Sequence, residues 1–401
     1  MTEKLYDLDS TLQEFDCKVI GLYNINDTTL GVETDRTAFF PEGGGQTSDR
    51  GVFFVDALTP AIHVENVQID TEHLLHFVEN SEENVKSLKI GTLLHGKIDW
   101  EKRFSDMQQH SGEHILSGIV HRLYGFSNVG FHLSAQEVTV DFDGELSEND
   151  ICKVERLVNE TIWQNLEIHA WYPSETDLLA ITYRSKKEID GPLRLVEIPS
   201  VDICACCAPH VRRTGEIGLL RVVQAERHRG GTRLWILCGA RAMEDAAAKL
   251  KENHKVGVLL SAKQTETFAA VQRLKEKNAA LSFALVGTQR ELLALRAKTV
   301  TPQTALVEQI DADGTLLRDY ADLLADKADV FAAVFSAGDD MKFVIISKHG
   351  FALAPVAETL RSTFGAKCGG RGGVLQGALC GAFDAVRATL ETIAKQGGRA
   401  Q

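Results

Sequence analysis

The stretch WEKRFSDMQQHSGEHILSGIVHRLYG, residues 100–125, divides the chain into two regions of different character. Its apolar residues recur at spacings of three and four: Phe104, Met107, Ile115, Leu116, Ile119, Val120 and Leu123. This period predicts an amphipathic helix, and Gly125 is a typical C-terminal stop. The residues before this helix have a sequence pattern typical of β-strands. The chain therefore changes from predicted strands to predicted helix at about residue 100.

Residues 1–98 are predicted to form a small β-barrel or sandwich. Short runs of β-branched and aromatic residues are separated by polar or glycine turns, at 17–23, 37–40, 52–55, 62–67 and 74–78. One turn, Pro41-Glu42-Gly43-Gly44-Gly45-Gln46, contains three consecutive glycines. Glycine loses more backbone entropy on folding than other residues and has no side chain to bury in a core. This turn is therefore either a flexible surface loop or a place where the backbone closely approaches another group.

Residues 99–240 are predicted to form an α+β domain. Strands at 137–142, 193–198, 218–223 and 232–238 accompany a helix at 148–164, and this order favours segregated sheet and helices. Residues 301–401 are predicted to form a separate α/β domain, with strands at 330–335 and 342–347 and helices at 355–364 and 383–393. The fold class is therefore α+β overall.

Residues 241–300 are predicted to form a helical linker. A seam spaced by alternating threes and fours runs through its second half: Val271, Leu274, Asn278, Leu281, Leu285, Thr288, Leu292 and Leu295. Such a seam is typical of a dimerising coiled coil or of a helical hairpin. We favour a homodimer through residues 271–295, because a polar Asn in a seam often fixes its register.

Composition excludes several classes of protein. Hydrophobic residues make up 44% of the chain and charged residues 25%, as in soluble globular proteins. No apolar run is long enough for a membrane span, no signal peptide is evident, and eight scattered cysteines fit a reducing cytoplasm. The net charge of -13 argues against non-specific binding of nucleic acid over the whole surface. Two basic stretches are exceptions where a polyanion could dock, with eleven Lys and Arg against six Asp and Glu at 184–241 and six against two at 361–401.

Two histidines of the predicted helix, His110 and His114, lie four residues apart. This spacing places both imidazoles on one face, with Cβ atoms about 5–6 Å apart, so that they can share a Zn²⁺ ion. His121 lies about 10 Å beyond His114 at 1.5 Å per residue and cannot join them. Two partly exposed histidines without a ligand are the alternative.

A second cluster, Cys204-Ala205-Cys206-Cys207-Ala208-Pro209-His210, holds three thiols and an imidazole. A buried group of thiols would explain one cysteine but explains three poorly. Cys206 and His210 lie four apart on a turn that Pro209 stiffens. With the histidine pair they give three nitrogens and one sulfur, a zinc-type set. Cys204 and Cys207 remain alternatives for the thiolate.

Three blocks resemble the editing domain shared by alanyl- and threonyl-tRNA synthetases and, more closely, the free-standing alanyl-tRNA editing proteins of the AlaX family. They are DRTAFFPEGGGQ at 35–46, HSGEH at 110–114, and CCAPHV at 206–211 followed by TGEIG at 214–218. Ala208 and Pro209 depart from the family, which commonly has glycine and threonine there. The segment GGRGG at 369–373 is similar to the DHHA1 domain of alanyl-tRNA synthetases and long AlaX proteins.

The resemblance implies a trans-editing deacylase. Such an enzyme hydrolyses tRNA(Ala) mischarged with serine, or secondarily with glycine. We expect no synthetase activity, because the predicted barrel at the start leaves no room for a class II aminoacylation domain. The residues that would bind Zn²⁺ are His110, His114, Cys206 and His210. Thr37 would meet the hydroxyl of serine, and the loop Gly43, Gly44, Gly45 and Gln46 would approach the acylated terminal adenosine.

The resemblance leaves the chemistry of hydrolysis open. A zinc-associated water could be the nucleophile, or zinc could anchor the amino group while backbone N–H groups meet the oxyanion. No protein base is identified, and nucleotide binding is implied by the resemblance alone. The C-terminal domain would bind RNA.

Two other functions fit parts of the sequence. HSGEH also matches the HxxEH pattern of zinc peptidases, with Glu113 as the general base. That hypothesis leaves the CxxxH half-site and the glycine loop without a purpose. A module that binds RNA and uses zinc only for structure is the non-enzymatic alternative.

Overall fold

The computed structural model describes residues 2–56, 58–70, 73–185, 192–312 and 314–397. It divides into two units, Met1–Glu252 and Asn253–Gln401. The predicted boundaries near residues 98, 240 and 300 are finer than this division and stay predictions. Among the described residues, no helix has the length and apolar character that crossing a bilayer requires.

The first part of the N-terminal unit contains the strands β1 (Glu3–Lys4), β2 (Glu14–Asn24), β3 (Thr29–Thr34), β4 (Arg36–Thr37), β5 (Gly51–Phe54), β6 (Ile62–Val64), β7 (Asn66–Asp70), β8 (His73–Glu79) and β9 (Leu93–Ile98). Seven of them form an open antiparallel sheet with the strand order β6-β5-β9-β2-β3-β8-β7. Two short helices, α1 (Leu5–Leu8) and α2 (Glu82–Ser87), lie among them, and β1 pairs separately with β4. Burial alternates along β2, as a half-buried strand requires.

The predicted closed barrel is not confirmed. In the described part of the chain, the outermost strands β6 and β7 are not paired with each other. One residue, Glu65, joins them, and this connection is too short for the two-residue turn of a hairpin. Each strand therefore pairs elsewhere, β6 with β5 and β7 with β8, and the sheet stays open.

The rest of the N-terminal unit combines two small sheets with three long helices, the last of which extends to Leu260, beyond the end of the unit at Glu252. Its elements are α3 (Trp100–Tyr124), β10 (Asn128–Leu133), β11 (Val138–Phe142), α4 (Glu148–Trp163), β12 (His169–Trp171), α5 (Glu175–Leu178), β13 (Leu195–Ile198), β14 (Asp202–Ala205), β15 (Leu220–His228), β16 (Gly231–Cys238) and α6 (Gly239–Leu260), with a 3₁₀ turn at Thr214–Ile217. The sheet β10-β11-β16-β15 and the helices α3 and α4 share one buried core. The three strands β12-β13-β14 form the second sheet.

The C-terminal unit is a mixed sheet with helices. It contains α7 (Thr267–Thr299), β17 (Gln303–Ile310), α8 (Thr315–Ala325), β18 (Ala328–Ser336), β19 (Asp340–Ile346), α9 (Ala354–Phe364), β20 (Lys367–Arg371), β21 (Val374–Cys380) and α10 (Phe383–Gly397). The strand order is β17-β18-β19-β21-β20, and β17 and β18 run parallel with α8 between them in the chain. This agrees with the predicted α/β class, whereas the DHHA1 resemblance stays a prediction.

The structure corrects one predicted strand and divides the predicted helical linker into two helices. The strand predicted at 37–40 ends at Thr37, because the Phe39 N–H donates to Thr37 Oγ1 and the Phe40 N–H donates to Asp49 Oδ2 instead of to a neighbouring strand. The predicted helical linker consists of two helices, α6 and α7, and the predicted seam lies within α7. The apolar side chains of the seam on α7 are exposed, and the homodimer stays a prediction.

Candidate metal centre

Helix α3 carries the predicted histidine pair on its buried side. The Asp99 side chain caps its start by accepting from the Lys102 N–H, and Gly125, with φ of 72°, ends it in the left-handed conformation. His110 and His114 are 1% and 2% exposed. Their ring centroids lie 5.3 Å apart, so the helical spacing places the two imidazoles side by side.

Four predicted residues meet at one point. The potential ligand atoms of His110, His114, Cys206 and His210 all lie within 4.8 Å of one another. Cys206 Sγ is 3.5 Å from His110 Nε2 and 3.4 Å from His210 Nε2. Tetrahedral zinc with its usual bond lengths separates its ligand atoms by about 3.3–3.6 Å. The donor set and its spacing therefore fit Zn²⁺.

The second ring nitrogen of each histidine faces a polar group. His110 Nδ1 lies 2.9 Å from Gln46 Oε1, His210 Nδ1 lies 3.0 Å from Ser111 Oγ, and His114 Nδ1 lies 3.7 Å from Asp202 Oδ2. Metal-bound histidines usually donate their other N–H to such a partner, which fixes the tautomer and the ring orientation. The contacts of His110 and His210 fit a bound metal in this way, whereas the 3.7 Å at His114 is longer than a hydrogen bond.

The three thiols have different surroundings. Cys206 belongs to the four-residue group, whereas Cys204 lies in a second group with His114 and Asp202. The Asp202 carboxylate accepts two hydrogen bonds from Arg184, at 2.7 and 2.6 Å. Cys207 belongs to neither group, and its Sγ lies beside Gly44 of the glycine loop. The geometry therefore favours Cys206 as the thiolate ligand.

The glycine loop makes a close approach to this centre. Gly43 and Gln46 exchange two backbone hydrogen bonds, and Gly44 and Gly45 have φ of 62° and 84°, which glycine adopts without strain. A Cβ on Gly45 would lie 2.6 Å from the Phe131 carbonyl oxygen. The glycines therefore allow the loop backbone to pack closely against its neighbours, and the alternative of a flexible loop is not supported. A pocket of about 480 Å³ opens beside the loop.

Thr37 lies in the core of the open sheet and is hydrogen-bonded to His76, a histidine that the sequence prediction missed. The side chains of Thr37 and His76 are fully buried, with Thr37 Oγ1 2.8 Å from His76 Nε2. Burial lowers the pKa of His76 to about 4, so the ring is neutral at pH 7. Because Val32 O can only accept, at 2.9 Å, His76 Nδ1 carries the proton and Nε2 is bare.

The hydroxyl of Thr37 therefore has a fixed direction. It donates to His76 Nε2 and accepts from the Phe39 N–H at 3.1 Å. One lone pair of Oγ1 remains, so Thr37 can only accept from another group. His76 lies in β8 as an isolated histidine, and no feature of the sequence indicated this contact.

Glu113 has a different setting from the base of a zinc peptidase. It is fully buried, and its Oε1 accepts from Ser117 Oγ and from Asn128 Nδ2, both at 2.5 Å. A general base must reach a water at the metal, whereas these bonds hold Oε1 toward Ser117 and Asn128. The HxxEH hypothesis gains no support from this geometry.

The predicted basic stretch at 184–241 is largely neutralised within the chain. Seven of its nine arginines form ion pairs with carboxylates of described residues: Arg184 with Asp202, Arg194 with Asp7, Arg212 with Asp9, Arg221 with Glu155, Arg227 with Glu145, Arg233 with Asp141 and Arg241 with Asp106. Lys186 and Lys187 lie outside the described residues. The charge surplus therefore does not by itself indicate a surface for a polyanion.

The fold and the site define a mixed α/β chain with a candidate zinc centre of three histidines and one cysteine. Two family models match parts of it. Residues 193–234 match the threonyl and alanyl tRNA synthetase second additional domain, and residues 21–102 match the class II (A) tRNA synthetases. The first match contains Cys206 and His210, and the second contains Thr37 and the glycine loop.

Individual relatives agree with these matches. The chain is 30% identical over 246 residues to the alanyl-tRNA editing protein AlaX-L of Pyrococcus horikoshii, across 61% of this chain and 59% of that protein. It is 29% identical over 267 residues to the alanyl-tRNA editing protein Aarsd1-A of Xenopus laevis, across 65% and 62%. It is 27% identical over 373 residues to an alanine–tRNA ligase of Pyrococcus furiosus, across 91% and 39%.

The resemblance predicted from the three sequence blocks is confirmed: the chain is a relative of the AlaX-type alanyl-tRNA editing proteins. It spans less than two thirds of the length of each of the three relatives compared.

Proposed function

We propose that this chain hydrolyses the aminoacyl ester of mischarged tRNA(Ala), with Ser-tRNA(Ala) as the main substrate and Gly-tRNA(Ala) as the second. The observation that carries the proposal is the meeting of His110, His114, Cys206 and His210 beside the glycine loop. This group combines two sequence blocks typical of editing proteins. A cytoplasmic setting is part of the proposal.

The proposed metal is Zn²⁺, held by these four side chains. Bound zinc supplies a Lewis acid that polarises an oxygen and lowers the pKa of a water. The aminoacyl ester is already activated, so the chain itself needs to position the substrate and a water and to stabilise negative charge on the carbonyl oxygen.

Thr37 would provide the selectivity. Since its hydroxyl can only accept a further hydrogen bond, it suits a side chain that donates one, as the hydroxyl of serine does. Alanine lacks that hydroxyl and would leave the Thr37 lone pair without a partner. Sites built for a hydroxyl discriminate strongly against substrates without it.

The experiment compares Ser-tRNA(Ala), Gly-tRNA(Ala) and Ala-tRNA(Ala) as substrates of the wild-type chain and of Cys206→Ala. We expect rapid loss of the seryl ester, survival of the alanyl ester and a strong reduction in the variant. Cys152→Ala, at an exposed thiol of α4, is the control and should behave as wild type. Equal decay of all three esters would refute the proposal.

A second candidate function is a module that binds tRNA and uses zinc only for structure. The four protein ligands favour it, because structural zinc sites are closed whereas catalytic ones keep an open position. It predicts that tRNA(Ala) binds but that the seryl ester decays no faster than in buffer. The same assay therefore separates the two functions.

The C-terminal unit is proposed to serve RNA binding and homodimer formation. The exposed apolar residues of α7, such as Leu281 and Leu285, would pair with a second copy. Leu281→Glu combined with Leu285→Glu should shift the sedimentation coefficient from dimer to monomer. An unchanged coefficient would count against pairing through this helix.

A further inference from the structure

The amide group of Gln46 lies at the edge of the candidate metal centre, and only its oxygen has a hydrogen-bond partner among the described residues. Its side chain is 1% exposed, and its Oε1 lies 2.9 Å from His110 Nδ1. Its Nε2 is buried and has no hydrogen-bond partner among the described residues. A buried donor without a partner destabilises the folded chain, so this N–H group can donate to an acceptor that enters the site.

The orientation of the amide follows from the chemistry of His110. His110 Nε2 lies 3.5 Å from Cys206 Sγ, on the side of the candidate ligands, and must be bare to bind a metal. The proton of the neutral ring is then on Nδ1, which donates to an acceptor. A flipped amide would place an N–H against this N–H. Oε1 therefore faces His110, and the NH₂ group is the one left over.

The backbone holds this amide firmly. Gln46 and Gly43 exchange two backbone hydrogen bonds, at 3.1 and 3.0 Å, and the Leu133 N–H donates to Gly45 O at 2.9 Å. Gln46 is also one of the residues that line the pocket of about 480 Å³ beside the loop. Gln46 thus connects a candidate metal ligand with a space that a substrate could enter.

We propose that Gln46 acts through both ends of its amide: its oxygen positions His110, and its N–H donates to the carbonyl oxygen of the aminoacyl ester. The second role rests on the proposed deacylase function. Gln46 is then a catalytic residue toward the ester and a positioning residue toward the metal.

The ester carbonyl is the acceptor that gains most from this donor. When water attacks the carbonyl carbon, a new C–O bond forms and the electron pair of the C=O bond moves onto the oxygen. The tetrahedral species then expels the ribose oxygen, which takes the proton that water loses. Gln46 keeps its own proton throughout and stabilises the negative oxygen. The ammonium group of the amino acid is a donor only and cannot satisfy the Gln46 N–H.

Two variants separate the two roles. Gln46→Glu keeps an oxygen for the His110 N–H but removes the donor, so we expect zinc affinity within about threefold of wild type and kcat lower by about 10²–10³-fold, with little change in KM. Gln46→Leu removes both groups, so zinc affinity should also fall by about 10–100-fold. Gln224→Leu, at an exposed glutamine of β15, is the control for both measurements.

The measurements are chelator competition for zinc, single-turnover decay of Ser-tRNA(Ala) at saturating zinc, and ¹⁵N chemical shifts of the His110 ring. Tryptophan fluorescence checks that each variant is folded. Wild-type turnover by Gln46→Glu would overturn the donor role. Unchanged zinc affinity in Gln46→Leu, or a His110 ring without a proton on Nδ1, would overturn the positioning role.

The result also distinguishes this proposal from the proposed function. If the wild-type chain deacylates no tRNA, the proposed function fails and the donor role fails with it. Zinc affinity and the His110 tautomer do not depend on turnover, so the positioning role is still decided. If the wild type is active and Gln46→Glu equals it, only the donor role is wrong.

Discussion

Replacing Asp49 with asparagine removes the charge that balances Arg103 in the interior of the N-terminal unit. The Arg103 side chain is fully buried and Asp49 is 1% exposed. Arg103 Nε lies 2.9 Å from Asp49 Oδ1, and its NH2 group donates to Asp49 Oδ2 and to Ala38 O. Asp49 also accepts from the Phe40 N–H at 2.6 Å. The pair therefore ties the segment before the glycine loop to helix α3.

The expected cost of breaking the pair is large. Removing one partner of a buried ion pair destabilises by about 3–5 kcal/mol, because the other charge stays buried without compensation. A folded domain is stable by about 5–15 kcal/mol in total. We therefore expect Asp49→Asn and Arg103→Met each to lose a large part of the free energy of unfolding. Zinc affinity should fall as well, since α3 carries His110 and His114.

Tryptophan fluorescence measures this loss in the intact chain. All four tryptophans, Trp100, Trp163, Trp171 and Trp235, lie in the N-terminal unit, so urea unfolding followed at these residues reports on that unit. The double variant Asp49→Asn, Arg103→Met should lose about 1–3 kcal/mol less than the sum of these two single variants. Single losses below about 1 kcal/mol, or additive losses, would refute the reasoning.

Three other predictions concern single positions. Cys204→Ala and Cys207→Ala should each retain one tightly bound zinc by mass spectrometry; loss of the metal in either would move the thiolate ligand to that residue. Gly45→Ala should lower zinc affinity at least tenfold by chelator competition, because its Cβ would meet a carbonyl oxygen at 2.6 Å, whereas Gly91→Ala, with φ of 94° and open space around it, should not. His76 has a pKa lowered from 6.5 to about 4 by burial, so the unfolded chain binds more protons between these values. The free energy of unfolding should therefore fall by about 3 kcal/mol as the pH drops through this window, and His76→Gln should lack that part of the slope in urea titrations.

The sequence predicted local elements better than their connections. Helix α3 follows from its apolar period and from Gly125, and most strands follow from runs of β-branched residues. The prediction missed β17 and α8, although α8 buries Leu317 and Tyr320 at helical spacing. The predicted barrel is not confirmed, because within the residues that the structure describes β6 and β7 pair with other strands and not with each other. The composition of a strand does not show which strand it pairs with.

The same limit applies to the candidate site. The pair His110 and His114 is local, and the i,i+4 spacing places both rings on one face without tertiary information. The partners of their second nitrogens are not local. Gln46 lies 64 residues before His110, and Asp202 is 88 residues after His114, so only the packed fold brings them together. His76 and Arg103 likewise acquire their roles from burial.

The number of ligands bears on how hydrolysis could occur here. If all four side chains stay on the metal, a tetrahedral ion has no open position for a water. The groups that act on the ester then belong to the chain: the accepting hydroxyl of Thr37 and the buried N–H of Gln46. Thr37 accepts a hydrogen bond, which matches the hydroxyl of serine as a donor. Gln46 donates one, which matches the carbonyl oxygen of the ester as an acceptor. In that case zinc would act chiefly by fixing His110, and through it the amide of Gln46, in the position that the reaction requires.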